Sequence, residues 1–265
     1  MTNNSRDTLI HNQVAQRYDR ARPGYPDALF DDIVKYANLA DDSRILEVGG
    51  GTGQATLPMA RRGYTIDCLE PGAQMAAIAR AKLAAYNKVK VICASYEAYP
   101  CPRARYDLLL SATAFHWTDP RIRFQKAHEL LKADGALALF WHRPTQTEAS
   151  RDFFDAVQQV YQAAAPELTS DYISPPSPDA VATEYEGLIQ SSGFFAELAI
   201  RKHYVATKYS ARAYVALLGT FSDHQRLDKS KRQRLFADVE LLINEAFAGT
   251  IVRETVALLY LARRM

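Results

Sequence analysis

Apolar positions follow two rhythms along the chain. Between residues 43 and 141, short apolar runs alternate with longer amphipathic stretches. "SRILEV" (43–48), "YTIDCLE" (64–70), "VKVICA" (89–94), "YDLLLSA" (106–112) and "GALALFW" (135–141) read as strands. "QATLPMARRG" (54–63), "AQMAAIARAKLAAY" (73–86) and residues 122–131 read as the helices between them. Near-continuous apolar strands separated by helices predict an open, mostly parallel sheet covered on both faces. Ahead of it, "YDRARPGYPDALFDDIVKYANL" predicts a helix capped by Asp27, with Leu29, Ile33 and either Val34 or Tyr36 facing inward. Residues 1–17 are polar and read as mobile or loosely helical.

The rhythm changes after Trp141. Residues 147–165 read as an amphipathic helix, and residues 166–184 hold four prolines, the composition of a loop. Helices are predicted over 184–193, 210–221 and 229–247, the last with a stripe of Leu235, Val239, Leu242 and Ala246. Residues 194–206 and 250–264 read as two further strands, for which an antiparallel pair at the sheet edge fits best. The expected fold class is therefore α/β: a Rossmann-like, seven-stranded, mostly parallel sheet with an antiparallel edge hairpin, helices on both faces and a helical cap insertion.

Bulk composition narrows the function only slightly. The 265 residues suit a single domain, and 32 basic against 30 acidic residues give a net charge of +2. No overall charge bias demands a nucleic acid or an anionic membrane. Residues 201–234 hold nine Lys or Arg against Asp223 and Asp228, a stretch that suits a solvated face or an anionic contact. Cys68, Cys93 and Cys101 form neither a disulfide framework nor a metal cluster, so no metal is expected, and the first two read as buried thiols. With no signal-like or membrane-length apolar segment, a soluble, cytoplasmic protein is the expectation.

The chemistry concentrates in "LEVGGGTGQATLP", residues 46–58. A triphosphate-binding loop needs a Lys and a hydroxyl at its end, and Gln54 stands after Gly53. A dinucleotide fingerprint needs a third glycine three places after the second, where this chain has Gln54 or Thr56. What remains is Glu47, Gly49, Gly51 and Gly53 at alternate positions between a strand and a helix. Glycine there brings bare backbone against a ligand at the carboxyl ends of the strands. Glu70, 17 residues after Gly53, ends the next strand, where a carboxylate can accept from both hydroxyls of a ribose.

"ILEVGGGTG" followed by "LEPG" resembles the first two motifs of class I S-adenosylmethionine-dependent methyltransferases. "YDLLLSATAFHWTDP", "LLKADGALALFW" and "ARPGYP" resemble later strands and the N-terminal lid of that family's small-molecule branch, which includes trans-aconitate methyltransferase-like proteins. "LLGTFSDHQRL" is similar to the C-terminal part of bacterial members. The resemblance is strong over residues 14–143 and looser beyond. It implies one domain over 1–265, with a cofactor-binding core at 14–143 and cap or substrate-side elements at 144–183 and 207–247.

The resemblance also implies S-adenosyl-L-methionine as cofactor. Gly49, Gly51 and Gly53 would border its methionine and ribose, Glu47 would face the methionine amino group, and Glu70 would hold the ribose. Pro71 and Met75 would lie beside the adenine, with Ser95, Tyr96 and Glu97 binding or flanking it in place of the Asp many relatives have there. Ser111, Ala112 and Ala114 would lie by the methionine end, and Arg22 and Tyr25 could close over the cofactor.

Methyl transfer from a sulfonium is an in-line displacement, so alignment and exclusion of water dominate. A base is needed only for a protonated acceptor such as a hydroxyl, and a carboxylate needs none. His116 is the candidate base or acceptor-orienting group, with Trp117 as pocket wall. Arg22, Arg143 or the basic segment after Arg201 could pair with an anionic acceptor. Transfer to a small-molecule carboxylate or hydroxyl is the leading expectation, without nucleic-acid or membrane partners. An RNA or protein methyltransferase and a non-catalytic cofactor-binding or interaction module are the alternatives.

Overall fold

The computed structural model describes residues 15–100, 103–169 and 173–265. The first half runs α1 (Ala15–Ala21), α2 (Asp27–Ala37), β1 (Arg44–Val48), α3 (Thr56–Arg61), β2 (Thr65–Leu69), α4 (Ala73–Lys82), β3 (Val89–Ile92) and β4 (Tyr106–Ala112). The second runs α5 (Arg123–Leu130), β5 (Leu131–Thr145), α6 (Glu148–Ala164), α7 (Glu184–Ser191), β6 (Phe195–Ser210), α8 (Ala211–Leu218), α9 (Ser222–Arg226), α10 (Lys229–Ala246) and β7 (Thr250–Arg264). These strands form one seven-stranded sheet in the order β3-β2-β1-β4-β5-β7-β6. Strands β1 to β5 pair in parallel, and β7 runs antiparallel to both β5 and β6, as the pattern predicts.

Burial on both faces explains the unbroken apolar runs. Successive strand residues point to opposite faces. In β4, Leu108 and Leu110 join Ile45, Ile66 and Phe140 on one face, while Leu109 joins Leu46, Leu137 and Trp141 on the other. Strand order reverses between β1 and β4, whose pairing ends at Glu47 and Leu110. The crevice beyond their carboxyl ends is where an open α/β sheet binds ligands.

A third apolar cluster lies apart from the sheet's two faces. Phe153, Val157 and Tyr161 of α6 pack with Tyr214, Leu217 and Leu218 of α8 and with Leu235, Val239 and Ile243 of α10. The expected α10 stripe is corrected at its end: Ile243 is buried where Leu242 is half-buried and Ala246 exposed, because the buried face follows four-residue steps. This cap is tied to the sheet by Glu254 of β7. Its carboxylate accepts from the Thr147 amide at 3.0 Å and hydroxyl at 2.9 Å, the Ser150 hydroxyl at 2.5 Å, and Tyr204.

Other local expectations change. Asp27 is the first helical residue of α2 and the cap position falls on Pro26, so its charge meets the helix dipole without a capping bond. Cys68 is buried, but Cys93 lies one residue past the end of β3 and is exposed. Cys101 lies outside the described residues. Eight of the nine basic residues between 201 and 234 are exposed, and Arg232 is half-buried. Among the described residues no helix is long and apolar enough to cross a membrane.

Candidate functional site

The glycine run forms a tight turn held by backbone. Gly49 and Gly50 both donate to the Leu69 carbonyl at 2.9 Å, and Gly53 donates to that of Gly50 at 2.8 Å. Gly49 is required twice over: its φ is +72°, and an added Cβ would stand 2.3 Å from that of Ala114. The close approach of β1 and β4 at this point is reinforced by Ser111, whose buried hydroxyl donates to the Val48 carbonyl at 2.8 Å.

Two carboxylates flank this turn in different states. Glu70 Oε2 accepts from the Gly51 amide at 2.9 Å and Oε1 from that of Gly72 at 2.7 Å, leaving further lone pairs for a ligand's hydroxyls. Burial raises its pKa, opposed by those two amides. Glu47 is 1% exposed, and neither of its oxygens has a well-formed hydrogen bond. Burial pushes its pKa up to about 7, against the Thr56 hydroxyl beside it and with help from the charge of Glu70. A buried carboxylate this short of donors is matched to a cationic or hydrogen-bond-donating ligand group.

Two cavities meet at the turn. The larger, about 1140 Å³, is lined by Glu70, Pro71, Met75, Ser95, Tyr96 and Glu97 from β2, α4 and the β3 end, and by Ala114, His116 and Trp117 after β4. The smaller, about 620 Å³, lies under the cap against Phe154, Tyr161, Tyr214 and Leu217, with Glu47, His142 and Arg253 as polar wall. Gly49, Gly51, Ala112 and Thr113 line both, as do Tyr18, Arg22, Phe221 and Asp223. A ligand reaching from Glu70 past Gly49 thus presents one end to the smaller cavity.

The predicted residues divide accordingly. Arg22 donates from Nε to the Thr220 hydroxyl at 2.9 Å, and its guanidinium lies 4.5 Å from the Phe221 ring, so it bridges the N-terminal segment to the cap. Tyr25 reaches the Thr113 hydroxyl at 2.7 Å and stacks on His142 at 4.4 Å. Burial drives His142 down to about pKa 4, leaving it neutral, with Nε2 donating to the Gly24 carbonyl at 3.1 Å. Beside the larger cavity, Ser95 accepts from the Ala98 amide, Glu97 accepts from that of Asp119, and the Tyr96 hydroxyl donates to the Arg123 carbonyl. Gly53 lines neither cavity and serves the turn.

His116 lines only the larger cavity and is exposed, its Nδ1 accepting from the Trp141 indole at 3.1 Å. Trp117 stands beside it. Arg143 lines neither cavity and pairs with Glu184 at 2.5 Å. The smaller cavity instead gathers residues that the sequence reading passed over: Tyr161, Asp223, His224 and Arg253. They come from three separate elements, and the adjacent Asp–His pair in "FSDHQRL" was the only local signal.

Residues 45–135 match the methyltransferase domain family. An uncharacterized methyltransferase of Mycobacterium tuberculosis is 29% identical over 143 residues, covering 54% of this chain and 56% of the relative. The tRNA 5-carboxymethoxyuridine methyltransferase of Escherichia coli is 33% identical over 106 residues, 37% of this chain and 40% of that protein. The chain thus spans about half the length of such curated relatives. Among solved structures, a candidate type II methyltransferase from Anaeromyxobacter dehalogenans shares 23% identity over 91% of this chain and 97% of that one, with a TM-score of 0.65. Phosphoethanolamine N-methyltransferase 2 of Haemonchus contortus, solved with S-adenosyl-L-methionine, shares 15% identity over 97% of this chain and 57% of its own, with a TM-score of 0.52. Both share the fold.

Proposed function

We propose that this chain is an S-adenosylmethionine-dependent methyltransferase whose acceptor is a small molecule bound in the smaller cavity. The observation that carries the reading is the junction of the two cavities at Gly49, Ala112 and Thr113, with a ribose-competent carboxylate on one side and a mostly apolar chamber on the other. The residues present fit the cofactor. Glu47 offers an unpartnered carboxylate to its amino group, Glu70 has lone pairs left for its ribose, and Gly49 leaves room for close approach. Pro71 and Met75 supply apolar wall for the base, flanked by Ser95, Tyr96 and Glu97.

The bound cofactor supplies an already activated methyl group on a sulfonium. The chain's residues therefore align the acceptor and exclude water. Arg22 and Tyr25 hold the N-terminal segment over the junction through Thr220 and Thr113. Phe154, Tyr214, Leu217 and Phe221 give the chamber an apolar lining suited to a small molecule. His116 stands outside this chamber, which moves the acceptor's polar contacts to Tyr161, His224 and Arg253.

The Escherichia coli relative favours a second reading, an RNA acceptor. The near-neutral net charge and the mostly apolar lining of the smaller cavity support the small molecule instead. Calorimetric titration with S-adenosylmethionine, followed by a transfer screen over carboxylic acids, alcohols, phenols, amines and tRNA, tests both. Saturable binding with product among the small molecules is expected. Product on tRNA alone would replace this reading with the second, and no binding would end both.

A further inference from the structure

Three polar side chains in the smaller cavity form a chain of their own. The Tyr161 hydroxyl lies 2.6 Å from His224 Nε2, and His224 Nδ1 lies 2.7 Å from Asp223 Oδ1. An ionised carboxylate can only accept, so Nδ1 carries the proton and Nε2 is left as the acceptor for the tyrosine hydroxyl. Tyr161 and His224 are buried, at 9% and 5% exposure, whereas the Asp223 side chain is 56% exposed and lines both cavities. The row therefore runs from the buried side of the smaller cavity out to solvent at the junction.

We infer that Tyr161, His224 and Asp223 form a proton relay for the acceptor, and that the acceptor is a largely apolar small molecule bearing a hydroxyl. This rests on the methyltransferase reading above. The acceptor's O–H bond breaks as its oxygen bonds the methyl carbon, and the carbon–sulfur bond breaks with its electron pair returning to sulfur. The acceptor's proton goes to the Tyr161 oxygen as Tyr161 passes its own to His224 Nε2. The resulting imidazolium sits beside Asp223 and loses the proton to solvent there.

The surroundings suit this role. Burial first, then Tyr214 and Asp223, drive the Tyr161 hydroxyl well above its ordinary pKa, with Arg253 opposing, so it conducts a proton without lingering as phenolate. The His224 ring stacks 6.2 Å from Phe236 of α10, which fixes its plane. Charged and titratable groups around the relay are Tyr161 on α6, Asp223 beside His224, Tyr214 on α8, Arg253 on β7 and, towards Asp223, Arg22. Arg253 lies 5.9 Å from the Phe221 ring in the same cavity, where a cation favours a developing oxyanion. A purely structural histidine would need none of this access to the chamber.

The probe is 4-nitrophenol, whose absorbance reports its own ionisation, titrated by pH into the full chain with and without S-adenosylhomocysteine. In the wild type the bound phenolate should appear about one pH unit or more below the free compound. Tyr161→Phe, which keeps the ring, and His224→Gln should move the midpoint back towards that of free nitrophenol by at least half of the wild-type shift, the remainder being held by Arg253, while melting and S-adenosylhomocysteine binding stay near wild type. An unshifted wild-type midpoint, a shift that survives undiminished in Tyr161→Phe, or no nitrophenol binding overturns the relay. Failure of the wild type to bind S-adenosylhomocysteine would overturn the methyltransferase reading instead.

Discussion

Glu47→Gln probes the least satisfied group in the site. Both wild-type oxygens are buried without a well-formed hydrogen bond, and the carboxyl's pKa rises from 4.5 to about 7. In the unfolded chain this group ionises near its ordinary value, so between pH 4.5 and 7 the folded state binds more protons than the unfolded one. Stability therefore falls as pH rises through that window and levels off above it. A difference of about 2.5 pH units corresponds to about 3 kcal/mol. Gln carries a constant burial cost, so the informative quantity is the change in unfolding free energy between pH 5 and pH 8. Urea titrations should show the ligand-free wild type losing about 2.5 kcal/mol more than the variant over that range. The same protonation links to binding. At pH 6 a group with pKa near 7 is about 0.9 protonated, so a cofactor whose amino group needs the carboxylate should displace nearly one proton. Calorimetry in buffers of different ionisation enthalpy measures that number, expected to fall towards zero by pH 8 and to vanish in Glu47→Gln. Parallel stability profiles for the two proteins, or equal proton release from both, would refute the reasoning.

Further outcomes follow from the same geometry. Gly49→Ala meets both a positive φ and the Ala114 side chain, and should cost about 2 kcal/mol in chemical denaturation with loss of cofactor binding. Glu70→Gln loses the charged acceptor for Gly51 and Gly72 and should weaken S-adenosylhomocysteine about tenfold or more in titration calorimetry. Arg143→Ala breaks a partly exposed pair with Glu184, so cofactor affinity should be unchanged and stability should move by less than about 1 kcal/mol.

The sheet was legible because strands buried on both faces cannot hide their apolar runs: all seven strand positions lie where the pattern puts them. The glycine turn and Glu70 were legible because their geometry depends on backbone conformation and local spacing. The smaller cavity was not. Tyr161 occupies an ordinary position on an amphipathic helix, and Arg253 is a single charge in a strand. Asp223 and His224 sit on a five-residue helix that no periodicity announces. Only the packing of α6, α8 and α10 brings them to one cavity. His116 failed to reach that cavity for a related reason: position past a strand end fixes nearness to the site, while the turn over Phe115–Trp117 decides which side a ring faces.

The most direct test of the central claim is a crystal structure of the chain with S-adenosylhomocysteine. The account predicts the amino group at Glu47, the ribose at Glu70, and the sulfur at Gly49 and Thr113 facing the cavity lined by Tyr161 and Phe154. A sulfur turned towards His116, or a ligand bound outside both cavities, would contradict it.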